Sequence, residues 1–444
     1  MTLAVACDSG DGGAKADAVA DTTADAVPDT TPDAVADVVP DTTPDAVADV
    51  VPDTVPDAVP DVVPDAVADV VPDAVADVVP DVVPDVVPDA VADVVPDVEP
   101  EVSPPDPTKF FVQLVGGTRV FASDALWCGR RANGQVSCWG PNSVGQLGTG
   151  GTASPPFGPV DSLVTDAIDV AAGDYHACAV RAGGTVVCWG GNAQGPGETG
   201  QDAALGETTL TPTAVTLPTK ALDVEVGRMA SCALLDDATV WCWGNYKAAA
   251  ALHTPTSVAT GVAKLFMGGL GTIFVDADGG ARYINNIGWD LVSSEVAKLA
   301  DGVATAGLGW DHGALVTTGG VTQTYGRDDG KSGDGLPDEG VTHPEPVNVS
   351  GVPAGAVAVT AANGFACALM DIADGGDVWC WGMVGPGAKE GEFPYAATKL
   401  EGMSGSTLMT GTADGVCSVK ADGGVYCCTN STAYKCGLLF APPQ

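Results

Sequence analysis

The stretch His176 to Gly190, HACAVRAGGTVVCWG, places a histidine, two cysteines and a tryptophan around a glycine pair. Those residue types can hold a metal, exchange electrons through a thiol pair, or serve as scaffold. Zinc draws on Cys-x-x-Cys knuckles brought together, and the chain has none. No Gly-x-Ser-x-Gly elbow, phosphate loop, zinc-protease helix or dinucleotide fingerprint is present either. A second candidate is the acidic stretch 326–340, GRDDGKSGDGLPDEG, with Asp328, Asp329, Asp334, Asp338 and Glu339. It departs from a calcium-hand loop because Gly330 and Ser332 stand where ligands should alternate. A degenerate copy of a Trp-Gly-x-Asn loop is the expected reading. The expectation is therefore no catalytic residue, no metal site and no cofactor.

The elements around these residues decide what they are for. LWCGRRANGQVSCWG occupies 126–140, ASCALLDDATVWCWG 230–244, FACALMDIADGGDVWCWG 365–382 and GVCSVKADGGVYCCT 415–429. Two degenerate copies, GTIFVDADGGARYIN at 271–285 and HGALVTTGGVTQTYG at 312–326, bring the set to seven. The first-cysteine position falls at 128, 178, 232, 273, 314, 367 and 417, so the units run 41–54 residues. That period points to a propeller or a solenoid. Each copy reads as a hairpin: a small or apolar run, a turn such as Asn133-Gly134 or Asp422-Gly423-Gly424, then a β-branched strand. Another strand lies upstream of most copies, as in AIDVAAGD and ALDVEVGR, and the loop WGPNSVGQLGTG follows the first. About four strands per unit is the content of a propeller blade.

These residues closely resemble the regulator of chromosome condensation repeat, whose pattern runs from a glycine and a histidine through a glycine turn to Trp-Gly-x-Asn-x-x-Gly-Gln-Leu-Gly. The resemblance is best at Trp139 to Gly148, WGPNSVGQLG, and at Gly173 to Asn192, and covers residues 110–440. It implies an all-β, seven-bladed β-propeller and a structural role for the position shared by His176 and His312. Ile284 and Cys428 replace the tryptophan in the fourth and seventh copies, and the Gly-Gln-Leu-Gly loop reads as lost or eroded in most. Binding surfaces of other members are therefore not carried over.

In four units the paired cysteines are ten residues apart, 128/138, 178/188, 232/242 and 417/427, and in the sixth, 367/380, the gap grows by the three residues inserted in the turn. A ten-residue gap folded about its midpoint sets two residues opposite each other on antiparallel strands, close enough for a disulfide. The degenerate copies lose both cysteines together and keep the spacing, as Ile273 with Tyr283 and Ala314 with Thr324. The expected disulfides are thus Cys128–Cys138, Cys178–Cys188, Cys232–Cys242, Cys367–Cys380 and Cys417–Cys427. Cys428 and Cys436 pair with each other, unless Cys428 competes with Cys427 for Cys417. Such a set implies an oxidising compartment. Trp139, Trp189, Trp243 and Trp381 recur at one repeat position and are expected to pack between blades. Trp127, Trp241, Trp310 and Trp379 fall elsewhere and, with Trp289, are candidate anchors on a face. His253 and His343 fall in variable loops. The strand FFVQLV, 110–115, is expected to pair with the last blade and lock the ring.

Residues 1–107 are another kind of polymer: they carry 26 acids against the single base Lys15, with 17 of the 33 prolines and no aromatic residue. From Asp17 to Asp97 an aspartate recurs at every fourth position. Proline every four or eight residues vetoes a helix, and nothing larger than valine is available for a core. The expectation is a disordered, extended spacer over 8–108, ahead of a propeller over 109–444. At the start, Leu3-Ala4-Val5-Ala6-Cys7 resembles a bacterial lipobox, with Cys7 as the lipidated residue of segment 1–7. Only six residues precede Cys7 and none is basic, so the true start is expected further upstream.

The formal net charge of −40 disfavours nucleic acid and anionic membrane surfaces as partners. The chain reads as a monomeric, lipid-anchored, extracytoplasmic binding protein of a bacterial membrane, the outer membrane by expectation, facing either the cell surface or the periplasm. It would hold an extracellular protein or glycan on one face. The alternatives are an inhibitor of an extracellular hydrolase and a propeller enzyme acting on polysaccharide, the latter marked by carboxylates with Arg, Lys or Tyr at the channel mouth.

Overall fold

A computed structural model describes residues 106–441, apart from 118–124, 155–157, 193–196, 202–206, 246–251, 270, 286–296, 311, 328–331, 337–341, 363, 383–395, 413–414 and 430–435. Cys7, the acidic spacer and Trp289 lie outside the described residues.

The described chain is a seven-bladed β-propeller. Seven antiparallel sheets of four strands follow one another, each built from consecutive strands. The innermost strands are Phe111–Gly116, Ala167–Ala172, Ala221–Val226, Val262–Met267, Val303–Leu308, Ala356–Ala361 and Ser406–Thr412. They surround a central channel of about 170 Å³. The core divides into seven apolar clusters, one at each interface between neighbouring blades.

Small residues let the blades meet at the axis. The inner strands of blades 2 to 6 each end in a tight turn held by a backbone bond, as Gly173 N–H to the His176 carbonyl at 2.9 Å and Gly309 N–H to that of His312 at 2.9 Å. A Cβ at Gly117, Gly173, Gly227, Gly268 or Gly309 would run into a backbone carbonyl of the next blade. Close approach, rather than a left-handed backbone, is what requires glycine there.

The hairpins have the register that the cysteine spacing predicts. Cys128 faces Cys138, Cys178 faces Cys188, Cys232 faces Cys242, Cys367 faces Cys380 and Cys417 faces Cys427. All five pairs are joined, and Cys428 is joined to Cys436. In blades 4 and 5 the same positions pair Ile273 with Tyr283 and Ala314 with Thr324. The three extra residues of the sixth copy form a short 3-10 turn, Ile372–Asp374, capped by the Asp371 carboxylate. The disulfides agree with an oxidising, extracytoplasmic setting, and among the described residues no helix is long and apolar enough to cross a membrane.

Ring closure differs from the sequence expectation. Phe111–Gly116 does not pair with the last blade; it is the inner strand of blade 1, paired with Trp127–Arg131. The outer strand of blade 7 is Gly437–Phe440, from the end of the same repeat. The seam between blades 7 and 1 is therefore closed by side chains. Trp139 meets Phe440 edge to face at 5.3 Å and Phe111 at 6.0 Å. Phe110 covers Gly423 in the last hairpin turn.

Candidate binding site at the mouths of the central channel

The repeat residues account for much of the apparent chemistry. Trp189, Trp243 and Trp381 are fully buried between blades, each against a glycine from the loop of the preceding blade: Gly148, Gly200 and Gly333. Asn142 organises the first such loop, accepting from Leu147 N–H at 3.0 Å, and Asn192 does the same in the second through Thr199 N–H at 3.1 Å. The Gly-x-x-Gly loop thus survives in blade 2 as Gly197-Glu198-Thr199-Gly200 and in blade 5 around Gly333, more widely than its sequence suggests. Of the acidic stretch 326–340, residues 332–336 belong to that blade-5 loop, and Asp328, Asp329, Asp338 and Glu339 lie outside the described residues. Among the described residues no group of His, Cys, Asp or Glu is arranged to hold a metal ion.

One arrangement imitates a hydrolase triad. His176 Nε2 lies 2.8 Å from Ser231 Oγ, and His176 Nδ1 lies 3.7 Å from Glu198 Oε2. All three are fully buried. Burial holds the imidazole neutral, with its pKa down at about 3. The Ser231 hydroxyl donates to the Glu198 carbonyl at 3.1 Å, so it is committed to the scaffold and sealed from any substrate. His312, at the matching position, likewise reaches the next blade, where its Nε2 is 3.2 Å from the Phe365 carbonyl. Both histidines brace one blade to the next. His253 and His343 lie in strands, Leu252–Thr260 and Thr342–Asn348, rather than in the variable loops expected for them.

The tryptophans outside the repeat position are also largely structural. Trp127 is buried parallel to Trp139. Trp241 and Trp379 are half-buried against interblade clusters. Trp310 supports the Arg228 guanidinium 4.7 Å above its ring, and Arg228 Nε lies 3.6 Å from Asp174. These three residues come from blades 2, 3 and 5, so a cation–π strut spans the channel mouth at the glycine ring.

The opposite mouth is built differently. In every blade the inner strand carries a β-bulge at its second residue, which has no partner across the ladder. Bulges re-aim side chains at rims. Here they turn Val112 (39 % exposed), Ile168 (45 %), Leu222 (57 %) and Val357 (49 %) outward. Four of the exposed large apolar side chains thus share one repeat position around one mouth.

Just inside this rim, polar residues link the blades. Gln113 Nε2 donates to Asp169 Oδ1 at 2.6 Å, Arg130 Nε donates to Gln113 Oε1 at 3.2 Å, and Asp169 Oδ2 accepts from Val224 N–H at 2.8 Å. Asp223 titrates well above the usual carboxylate range, through burial, the Asp169 charge and a hydrogen bond to Asp169. Glu225, deeper and lining the channel, is raised by burial and by the charges of Asp223 and Asp169, against a hydrogen bond from Met267 N–H. Its channel neighbours include Phe266, Met267, Met409, Thr360 and Thr410. Sequence reading missed this set because Gln113, Asp169 and Asp223 share one repeat position in only three blades, with a different residue type in the others. A bulge shows in sequence only as one extra residue.

Glycosidases hold two carboxyls about 5 to 9.5 Å apart with substrate between them. Asp169 and Asp223 do not form such a pair, since they are hydrogen-bonded to each other and both Asp169 oxygens are occupied.

Comparison with known proteins agrees with the repeat reading. Two models of the regulator of chromosome condensation (RCC1) repeat match residues 133–180 and 167–195. Among solved structures, Prp20p from Saccharomyces cerevisiae, studied for its binding to Gsp1p and histones, aligns at 18% identity and TM-score 0.53, over 66% of this chain and 77% of its own. Yeast RCC1 (Prp20) bound to Kap60 aligns at 19% and 0.55, over 68% and 78%. Human WBSCR16 aligns at 16% and 0.54, over 68% and 85%. At these identities the likeness establishes the fold. No curated protein matches the sequence.

Proposed function

We propose that this RCC1-type propeller is a non-catalytic binding module, tethered by lipid at Cys7 and displayed outside the cytoplasm on its acidic spacer. It holds an extracellular protein on the face where the inner strands begin. The propeller with RCC1 repeats is a protein-interaction fold. The observation that carries the choice of face is the set of bulged, exposed side chains Val112, Ile168, Leu222 and Val357, which share one repeat position on that face. Apolar side chains gathered on one exposed face mark interaction sites on soluble proteins. The far mouth is spanned by Arg228 on Trp310. Six disulfides and the lipobox-like Leu3-Ala4-Val5-Ala6-Cys7 support the location.

Protease shaving of intact cells, with and without Cys7→Ala, tests the display. The propeller should be lost from shaved wild-type cells and released from the membrane by Cys7→Ala. Protection from protease together with unchanged membrane association of Cys7→Ala would refute it.

A further inference from the structure

We propose that a cavity in blade 2, opening on the face of the apolar rim, is a socket for a carboxamide, presented as a glutamine side chain by the protein that docks there. The inference rests on the binding reading above and adds the chemistry of the partner.

Blade 1 supplies the precedent. In both blades a connector leaves the outer strand, passes the blade's own hairpin turn and enters the next inner strand. Matching backbone bonds align the two connectors. In blade 1, Ser162 N–H donates to the Val136 carbonyl and Ala167 N–H to that of Gly134, both at 2.9 Å. In blade 2, Val215 N–H donates to the Val186 carbonyl and Ala221 N–H to that of Gly184, also at 2.9 Å. The space between turn and connector in blade 1 is filled by Gln135, whose Nε2 donates to the carbonyls of Val136, Ser162 and Val164 at 2.8, 3.0 and 3.2 Å.

Blade 2 has the space without the plug. The residue at the Gln135 position is the shorter Thr185, and the connector is one residue longer. A cavity of about 210 Å³ stands there. Val186, Val215 and Leu217, the counterparts of the three residues that accept from Gln135, all line it. Among the described residues nothing donates to the carbonyls of Val215 and Leu217, although Val215 is buried. A cavity of about 150 Å³ holds a benzene-sized ligand, so a glutamine side chain has room.

The lining selects among occupants. Unmet carbonyl acceptors call for a donor, which excludes a carboxylate. Lys220 also lines the cavity, and it is the one cation among the described residues whose side chain makes no hydrogen bond, ion pair or ring contact. An ammonium only donates, so it repels a second ammonium and calls for an acceptor. A carboxamide carries both halves, an NH2 for the carbonyls and an oxygen for Lys220. Blade 6 bridges the same gap with a carboxylate: Asp377, at the Gln135 position, accepts from Ser404 Oγ at 2.6 Å and pairs with Lys399 at 2.7 Å. The blade-2 counterpart of Ser404 is Thr219, whose hydroxyl is already given to Asp236 at 2.6 Å. Lys220 precedes the exposed rim residue Leu222 by two positions, so the socket lies beside the rim.

The test is an NMR titration of the intact, oxidised protein, read at the methyl groups of Val186, Val215 and Leu217. The probes are a blocked tripeptide Gly-Gln-Gly, its glutamate, lysine and norleucine counterparts, and propionamide. The glutamine peptide is expected to bind at this cavity, and the other three peptides and propionamide at least tenfold more weakly. Lys220→Met should weaken the glutamine peptide about fivefold. Thr185→Gln, which rebuilds the blade-1 plug, should abolish binding while the melting temperature is kept or raised. On native cells the same variant should cut the adduct captured by a photoreactive residue at position 222 at least tenfold. Absence of glutamine-peptide binding, equal binding of the glutamate or norleucine peptide, or full binding by Thr185→Gln would overturn the proposal. So would propionamide binding as tightly as the peptide, which would make a free amide the ligand. A partner captured at the rim and insensitive to Thr185→Gln would overturn the socket and leave the binding reading standing. Glutamine-peptide binding with no protein at the rim would keep the socket and overturn the docking protein.

Discussion

Trp139 and Phe440 meet edge to face with ring centroids 5.3 Å apart, and this contact joins the first blade to the last. Because no strand is shared across the seam, side chains such as these carry closure. Phe440→Ala should cost on the order of 2 kcal/mol. Hydrogen exchange should then rise first in blades 7 and 1. Leu439→Ala, exposed on the same outer strand, should leave stability and exchange unchanged. Equal effects of the two substitutions would show that the seam is closed by something else.

The disulfides staple five hairpins and leave blades 4 and 5 without one. In those two blades Tyr283, at the second cystine position, and Tyr325, one residue past it, lie over Gly271 and Gly313 and meet each other at 5.6 Å. Replacing Cys178 and Cys188 together by alanine should lower unfolding free energy by about 2.5–3 kcal/mol, for a loop of ten residues. In the oxidised wild type, blades 4 and 5 should show the least hydrogen-exchange protection. Uniform protection across the seven blades would contradict this.

The buried His176 sets a slope in acid. Its folded pKa of about 3 lies below the ordinary value of 6.5, so the unfolded chain takes up the proton first. The stability it confers is complete above pH 6.5 and is lost as pH falls toward 3, on the order of 5 kcal/mol in all. His176→Gln, which keeps a donor toward Ser231, should flatten the denaturation curve between pH 6 and 3.5. An unchanged slope would mean that the histidine is solvated.

Asp223 works in the opposite direction. Its raised folded pKa means that the folded form holds a proton that the unfolded form has released. It penalises stability increasingly as pH rises above the ordinary carboxylate value. Asp223→Asn should therefore raise the melting temperature at pH 7.5 and leave it nearly unchanged at pH 3.5. A loss of stability at pH 7.5 would show that the ionised carboxylate is held favourably.

The parts of this molecule that repeat were readable in its sequence, and the parts that do not were hidden. Paired substitution at 273/283 and 314/324 exposed the strand register, because a facing pair changes as a pair. The recurring tryptophan revealed contacts between blades. By contrast, the brace between His176 and Ser231 joins residues 55 apart through a contact that no spacing rule predicts. Glu198 escaped notice because Gly-Glu-Thr-Gly keeps the glycines of its loop and changes everything between them. Closure was misread because a strand ahead of the first hairpin fits either the first blade or the last. The inner-strand bulges were invisible because AIDVAA and ALDVEV alternate like ordinary strands.

The binding account is tested most directly by site-specific photo-crosslinking on intact native cells, with a photoreactive residue replacing Ile168 or Leu222 at the open mouth, or Trp310 at the far one. The account predicts one discrete protein adduct from positions 168 and 222, none from 310, and loss of the adduct when Val357→Asp is added at unchanged melting temperature. Adducts of equal yield from position 310, or none from either rim position on a folded, displayed propeller, would contradict it.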